Sequence, residues 1–233
     1  MSDEQGKVTS SLVIRLVFLG LFGPVLLFLA SGDLHWIEGW GYSVFAFVYS
    51  VAGRLALFKR SPGLAEERAK GFNRPDIEPW DRKIVPWIGV LLPSLMMIAA
   101  GLDRRMGGAP HFPVWVEAVA AVPVAVGALF GLWAALTNPF FSSVARIQTE
   151  RGQRVVSAGP YRFVRHPGYA GTIVFNLLTP LVLGSSWAFI PSVPLVVLTV
   201  IRTRFEDRLL REKLDGYRDY AARVRFRLLP GLW

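Results

Sequence analysis

The feature that most constrains this chain is where its charge lies: long apolar blocks alternate with gaps that hold most of the Lys, Arg, Asp and Glu. About twenty apolar residues in a helix, at 1.5 Å per residue, match a hydrocarbon layer of roughly 30 Å. In that layer an α-helix satisfies its own backbone. Residues 12–30 form the first block, interrupted by Arg15 alone. Residues 37–58 form the second, opening with Trp36, Trp40 and Tyr42 where interfacial aromatics belong. Residues 84–101 and 114–136 read as a third and a fourth span, the latter tolerating Pro123. Residues 168–183 and 187–201 are shorter, at about 24 Å each. Gly184, Ser185 and Ser186 join them, so they predict a tight helical hairpin. Residues 204–224 place Phe205, Leu209, Leu210, Leu214, Tyr217 and Ala221 at helical spacing among charges, the pattern of an amphipathic interfacial helix. The expected fold class is all-α: a polytopic integral membrane bundle of five or six spans with a C-terminal hairpin. It is read as one domain over residues 1–233, with a four-helix part at 12–136 and a catalytic part at 137–233.

Composition narrows the function. Of 233 residues, 52% are hydrophobic and only 18% charged, against about a quarter charged in an ordinary soluble domain. With no Cys, disulfides, thiolate metal sites, iron–sulfur clusters and a cysteine nucleophile are excluded. Three scattered His do not make a zinc site, so no metal is expected. The net charge of +9 sits between apolar blocks rather than on one solvated face, which points to anionic membrane lipids and not to nucleic acid. The gaps at 59–83 and 137–167 are strongly basic, whereas residues 31–36 lack Lys and Arg. By the positive-inside rule both basic gaps, both termini and the active site are cytoplasmic, and a bacterial inner membrane is the expected location. A cleaved signal sequence is the competing reading of residues 12–30, but no small-residue cleavage motif follows them.

Chemistry concentrates in two places. Residues 159–171, Gly-Pro-Tyr-Arg-Phe-Val-Arg-His-Pro-Gly-Tyr-Ala-Gly, carry a basic segment into the membrane. Pro167 drives His166 out of the α region, so its ring stands just before a helix whose first amides are open to an anion. An interfacial anchor is the plain alternative. At the far end of the last apolar run, Arg202 and Glu206 share a helix face, either as a weak surface ion pair or as part of a site with the His166 turn. The hairpin brings the two together. Elsewhere the plain readings prevail: Asp76, Glu78 and Asp81 as a solvated loop, His35 and His111 as solvated, Trp36, Trp80, Trp87, Trp115 and Trp187 as interface anchors, and Met96 and Met97 as packing or lipid-facing residues.

From Asn138 onward the chain resembles the isoprenylcysteine carboxyl methyltransferase family of integral membrane enzymes. Gly159-Pro160-Tyr161 followed by Arg165-His166-Pro167-Gly168-Tyr169-Ala170-Gly171 is similar to its GPY…RHPxYxG signature, and Glu206-Asp207 falls where the family has a Glu-Glu pair. Tyr217, Tyr220 and Leu229-Pro230 fit as well. The resemblance implies methyl transfer from S-adenosylmethionine to an amphipathic, lipid-like acceptor, such as a prenylcysteine-like carboxylate. It implies cofactor contacts at Gln148, Tyr161, Arg165, His166, Tyr169, Gly171, Asn176 and Glu206, and catalytic roles for Arg202 and Glu206. His166 and Arg165 face the cofactor carboxylate, Glu206 its amino or ribose side, and Tyr161 and Tyr169 its sulfonium. Arg202 orients a carboxylate acceptor; a thiol, amine or phenol would need a base among Glu206, Asp207 and His166. The alternatives are a membrane NADPH-dependent sterol-type reductase and a non-enzymatic lipid-binding protein.

Overall fold

A computed structural model describes residues 18, 20–69, 71, 74–231 and 233. Residues 12–17 and 19 of the first apolar block lie outside them, as does Lys70 of the first basic gap. The described part of the first block is the short apolar helix α1, Gly20–Ser31. Then follow α2 (Ile37–Arg60), α3 (Pro62–Ala69), α4 (Pro79–Arg105), α5 (Val114–Thr137), α6 (Pro167–Val182), α7 (Phe189–Lys213) and α8 (Tyr217–Arg223). Helices α2, α4 and α5 are long and apolar enough to cross a membrane, and the described residues are helical and loop only. Glu38 in the first turn of α2 and Lys59 and Arg60 in its last match the helix dipole at both ends. Helix α4 relaxes into a π-helical stretch at Trp87–Leu91, directly after Pro86, whose missing amide leaves the i→i−4 ladder open.

The helices collect their loops at two ends. At the basic end, Glu78 N bonds Ala145 O, Arg60 reaches Leu136 O, Arg68 reaches Phe141 O, and Lys213 reaches Glu78. At the opposite end, Arg104 pairs with Asp33, and His111 N bonds Gly184 O. Buried Asp103 there accepts from His111, from Ser185 Oγ at 2.6 Å and from Trp187 N at 3.2 Å. The hairpin of α6 and α7 therefore turns at one end and opens at the other, where α6 begins and α7 finishes.

Glycine sets how closely α6 meets α5. A Cβ on Gly171 would lie 2.3 Å from Gly127 O and 2.9 Å from Gly131 N, so the two backbones touch without an intervening side chain. Gly171→Ala will destabilise the protein by about 1–3 kcal/mol through overpacking. Thermal unfolding of detergent-purified protein checks this, with Gly41→Ala, where a Cβ meets nothing within 4 Å, unchanged as the control.

Several expectations change. The amphipathic segment is not a separate helix starting at 204: α7 runs unbroken from Phe189 to Lys213, because nothing between Ile201 and Arg204 breaks a helix, and α8 is a distinct short helix. Trp36 is no interface anchor; at 2% exposure it packs with Leu27, Met96 and Met97 in the core, beneath the Arg104 guanidinium. Trp115 stays exposed. His111 binds Asp103 instead of facing solvent alone. The supposed solvated carboxylates are all engaged: Asp76 with Arg146, Glu78 with Lys213, and Asp81, with no exposed surface, with Arg202.

Candidate active site

Where α6 begins and α7 ends, a cavity of about 250 Å³ opens at the basic end. Its floor is the start of α6. His166 caps that helix at φ −125°, ψ 61°, outside the α region as Pro167 requires, and Gly168, Tyr169 and Thr172 line the cavity wall. Gly168 is needed as glycine, since the Phe141 ring lies 2.5 Å from where its Cβ would be. Arg202, Glu206, Leu209 and Leu210 of α7 form the facing wall, and the 138–156 loop closes a third side.

Two buried carboxylates hold the frame without lining the cavity. Asp207 accepts from Arg165 Nε at 2.7 Å, Arg165 Nη2 at 3.1 Å, Tyr217 OH at 3.0 Å, and Arg211 and Arg227 at 3.0 Å each, with His166 Nε2 at 3.4 Å. Arg165 also donates to Val224 O and Arg225 O, while Arg165 N and His166 N bond Phe226 O and Arg227 O. This clasp pins the signature turn to α7, α8 and the C-terminal segment. Burial works against the charge on Arg165, but the Asp207 hydrogen bonds outweigh it and hold the guanidinium above its ordinary range. Asp81, at the start of α4, accepts from Arg202 Nε at 2.7 Å and Nη2 at 3.1 Å and from Ala145 N at 2.6 Å.

A third cluster braces the loop. Arg146 bonds Glu67 at 2.9 Å and Asp76 and Glu150 at 2.5 Å each, and Arg74 also bonds Glu67. The Arg146 hydrogen bonds draw the Glu150 carboxyl down to about 2. In this way Arg146, Arg165 and Arg202, three of the five arginines on the cavity wall, are each neutralised by carboxylates behind it. The other two, Arg68 and Arg154, bond no carboxylate among the described residues. Glu206 is the single acidic side chain among the lining residues, and Tyr169 OH donates to it.

Of the residues singled out in the sequence, Gln148, Tyr161, Arg165, His166, Tyr169, Arg202 and Glu206 line this one cavity. Gly171 and Asn176 do not. Gly171 faces α5, and Asn176 lies one turn deeper, on a second, apolar cavity among α1, α2, α4 and α6. Arg202 and Glu206 do not pair with each other: Asp81 takes the Arg202 fork and Tyr169 takes Glu206. The Tyr169 ring already meets a cation, the Arg202 guanidinium, 5.2 Å from its centroid, and stacks on His166 at 5.9 Å. Sequence reading missed Asp81, Arg68 and Arg154, which lie in basic gaps where every charge resembles every other.

Residues 116–212 match the sequence model described as the isoprenylcysteine carboxyl methyltransferase (ICMT) family. Over 100 residues, 41% of this chain, the sequence is 28% identical to the Lamin-B receptor of Drosophila melanogaster. The matched stretch spans 14% of that protein's length.

Proposed function

We propose, from the match of residues 116–212 to the isoprenylcysteine carboxyl methyltransferase family, a family of membrane methyltransferases, that this cavity transfers a methyl group from S-adenosylmethionine to an amphipathic acceptor. The observation that carries the proposal is the charge pattern of the wall: one acid bonded by the Tyr169 hydroxyl, two arginines that meet no carboxylate among the described residues, and aromatic rings between them. That pattern suits a ligand with an ammonium, a carboxylate and a flat base. Glu206 would hold the amino group; His166, Arg68 and Arg154 would hold the carboxylate. Tyr161 and Phe140 would offer faces to the base. When bound, S-adenosylmethionine supplies an electrophilic methyl group on a cationic sulfur.

The chain's own part is alignment and desolvation. In-line displacement gains most from holding donor and acceptor in register, and no protein nucleophile is required. The clasp at Asp207 fixes the His166 turn against α7, so the two walls keep their spacing. Because Asp81 occupies both Nε and Nη2 of Arg202, a carboxylate acceptor meets this arginine only through Nη1, and its second contact falls to Arg68 or Arg154. For an acceptor that must lose a proton, Glu206 is the base on the wall, with Tyr169 as its hydrogen-bond partner. The basic end faces the cytosol by the positive-inside rule, so donor and acceptor arrive by different routes, one from water and the other from the bilayer.

Incubating purified protein in lipid nanodiscs with radiolabelled methyl donor and a total lipid and metabolite extract tests the proposal. A labelled, organic-soluble product is expected, with at least tenfold less from His166→Ala. NADPH oxidation with no label transferred would favour the reductase reading and overturn this one.

A further inference from the structure

Asp81 is fully buried, lies outside the family-matched residues and makes no part of the cavity surface, yet it grips Arg202, the arginine that stands over the Tyr169 ring. We infer that Asp81 is a positioning residue whose charge cancels that of Arg202, so that a cationic sulfonium can occupy a cavity otherwise lined by arginine. The inference rests on the methyl-donor reading above.

The argument is one of charge. Five arginines and one glutamate line the cavity, an environment that by itself repels a cation. Arg146 is neutralised away from α7, by Glu67, Asp76 and Glu150, and Arg165 is neutralised by Asp207, a buried α7 residue that does not line the cavity. Arg202 is on α7 itself, one helical turn from Glu206, and its guanidinium stands over the ring whose hydroxyl bonds Glu206. Without a counter-charge it would compete for Glu206 and raise the local potential where the donor sulfur must lie. Asp81 prevents both. Its two oxygens take Nε and Nη2 in a fork, its Oδ2 also accepts from Ala145 N, and Ser143 O accepts from Nη2, so the guanidinium is fixed in plane and pulled away from Glu206. The pair is a device for a cationic ligand: S-adenosylhomocysteine, a neutral thioether with the same remaining groups, has no need of it.

That difference supplies the test. Isothermal titration of detergent-purified protein measures dissociation constants for S-adenosylmethionine and for S-adenosylhomocysteine. In Asp81→Asn, Arg202 keeps its charge and loses its counter-charge, and binding of the methionine form is expected to weaken about tenfold or more relative to the homocysteine form. Asp81→Glu, which retains the charge, and the neutral double variant Asp81→Asn/Arg202→Gln are expected to restore the wild-type ratio. If Asp81→Asn does not fold, Arg202→Gln alone reads the same effect with opposite sign, favouring the cationic ligand. An equal loss for both ligands in Asp81→Asn, or an unchanged ratio in Arg202→Gln, would reduce Asp81 to a packing role and overturn the inference. Failure of the wild-type protein to bind either ligand would instead overturn the methyl-donor reading.

Discussion

Asp207→Ala is expected to destabilise the protein by about 3–5 kcal/mol, because it strips a buried guanidinium of the one carboxylate it meets among the described residues. Arg165 is 3% exposed, and its remaining acceptors, the carbonyls of Val224 and Arg225, carry no full charge. The same change releases Tyr217, Arg211 and Arg227, so the C-terminal segment loses its tie to α7 together with the turn. Thermal unfolding in detergent reads the loss. Limited proteolysis should show cleavage appearing first between residues 214 and 233. Asp207→Asn keeps the shape and some of the hydrogen bonds, and falls between the two. A melting temperature unchanged in Asp207→Ala would mean that the clasp holds nothing in place.

Glu206→Gln has the opposite profile. Glu206 is half-buried and its one hydrogen-bond partner among the described residues is the Tyr169 hydroxyl, from which an amide oxygen can still accept, so stability should hardly change. Ligand binding should change greatly. Losing the single acidic group on the wall removes a charged hydrogen bond of about 1.5–3 kcal/mol, equivalent to roughly ten- to a hundredfold weaker binding of S-adenosylhomocysteine. Titration measures the loss of affinity, and thermal unfolding followed by circular dichroism measures the unchanged stability. A pair of neighbouring substitutions, one lowering stability and the other lowering affinity, separates the acid that holds the frame from the acid that meets the ligand.

The division between what the sequence discloses and what it conceals follows the range of the interactions. The turn at 159–167 is legible because its causes are local: Pro167 dictates the His166 backbone, and the outcome was the expected one. The hairpin is legible because Gly184 takes a left-handed φ of 62° between two apolar runs. The length of α7 is misread from the sequence, with a break expected between residues 201 and 204 where the helix runs on. Polarity changes at Arg202 but no residue there stops a helix, and a change of polarity is weaker evidence for a boundary than a proline or glycine would be. Partnerships across the chain are not legible. Arg202 has Glu206 four residues away and Asp81 a hundred and twenty-one away, and it chooses the distant one because α4 and α7 start and end side by side. Helix rotation decides the rest. Gly168, Tyr169 and Thr172 face the cavity, whereas Gly171 is spent on the contact with α5, and Asn176, although on the stripe of Gly168 and Thr172, is a further turn into the bundle.

The central claim is that the His166 turn and the Glu206 end of α7 form one binding site, and photolabelling measures it most directly. Purified protein is irradiated with tritium-methyl S-adenosylmethionine, digested, and the labelled peptides sequenced. The account predicts label in peptides from residues 159–172 or 202–220, suppressed by excess S-adenosylhomocysteine. Label confined to the opposite end, around residues 103–117 or 184–188, or label that the competitor leaves untouched, would contradict it.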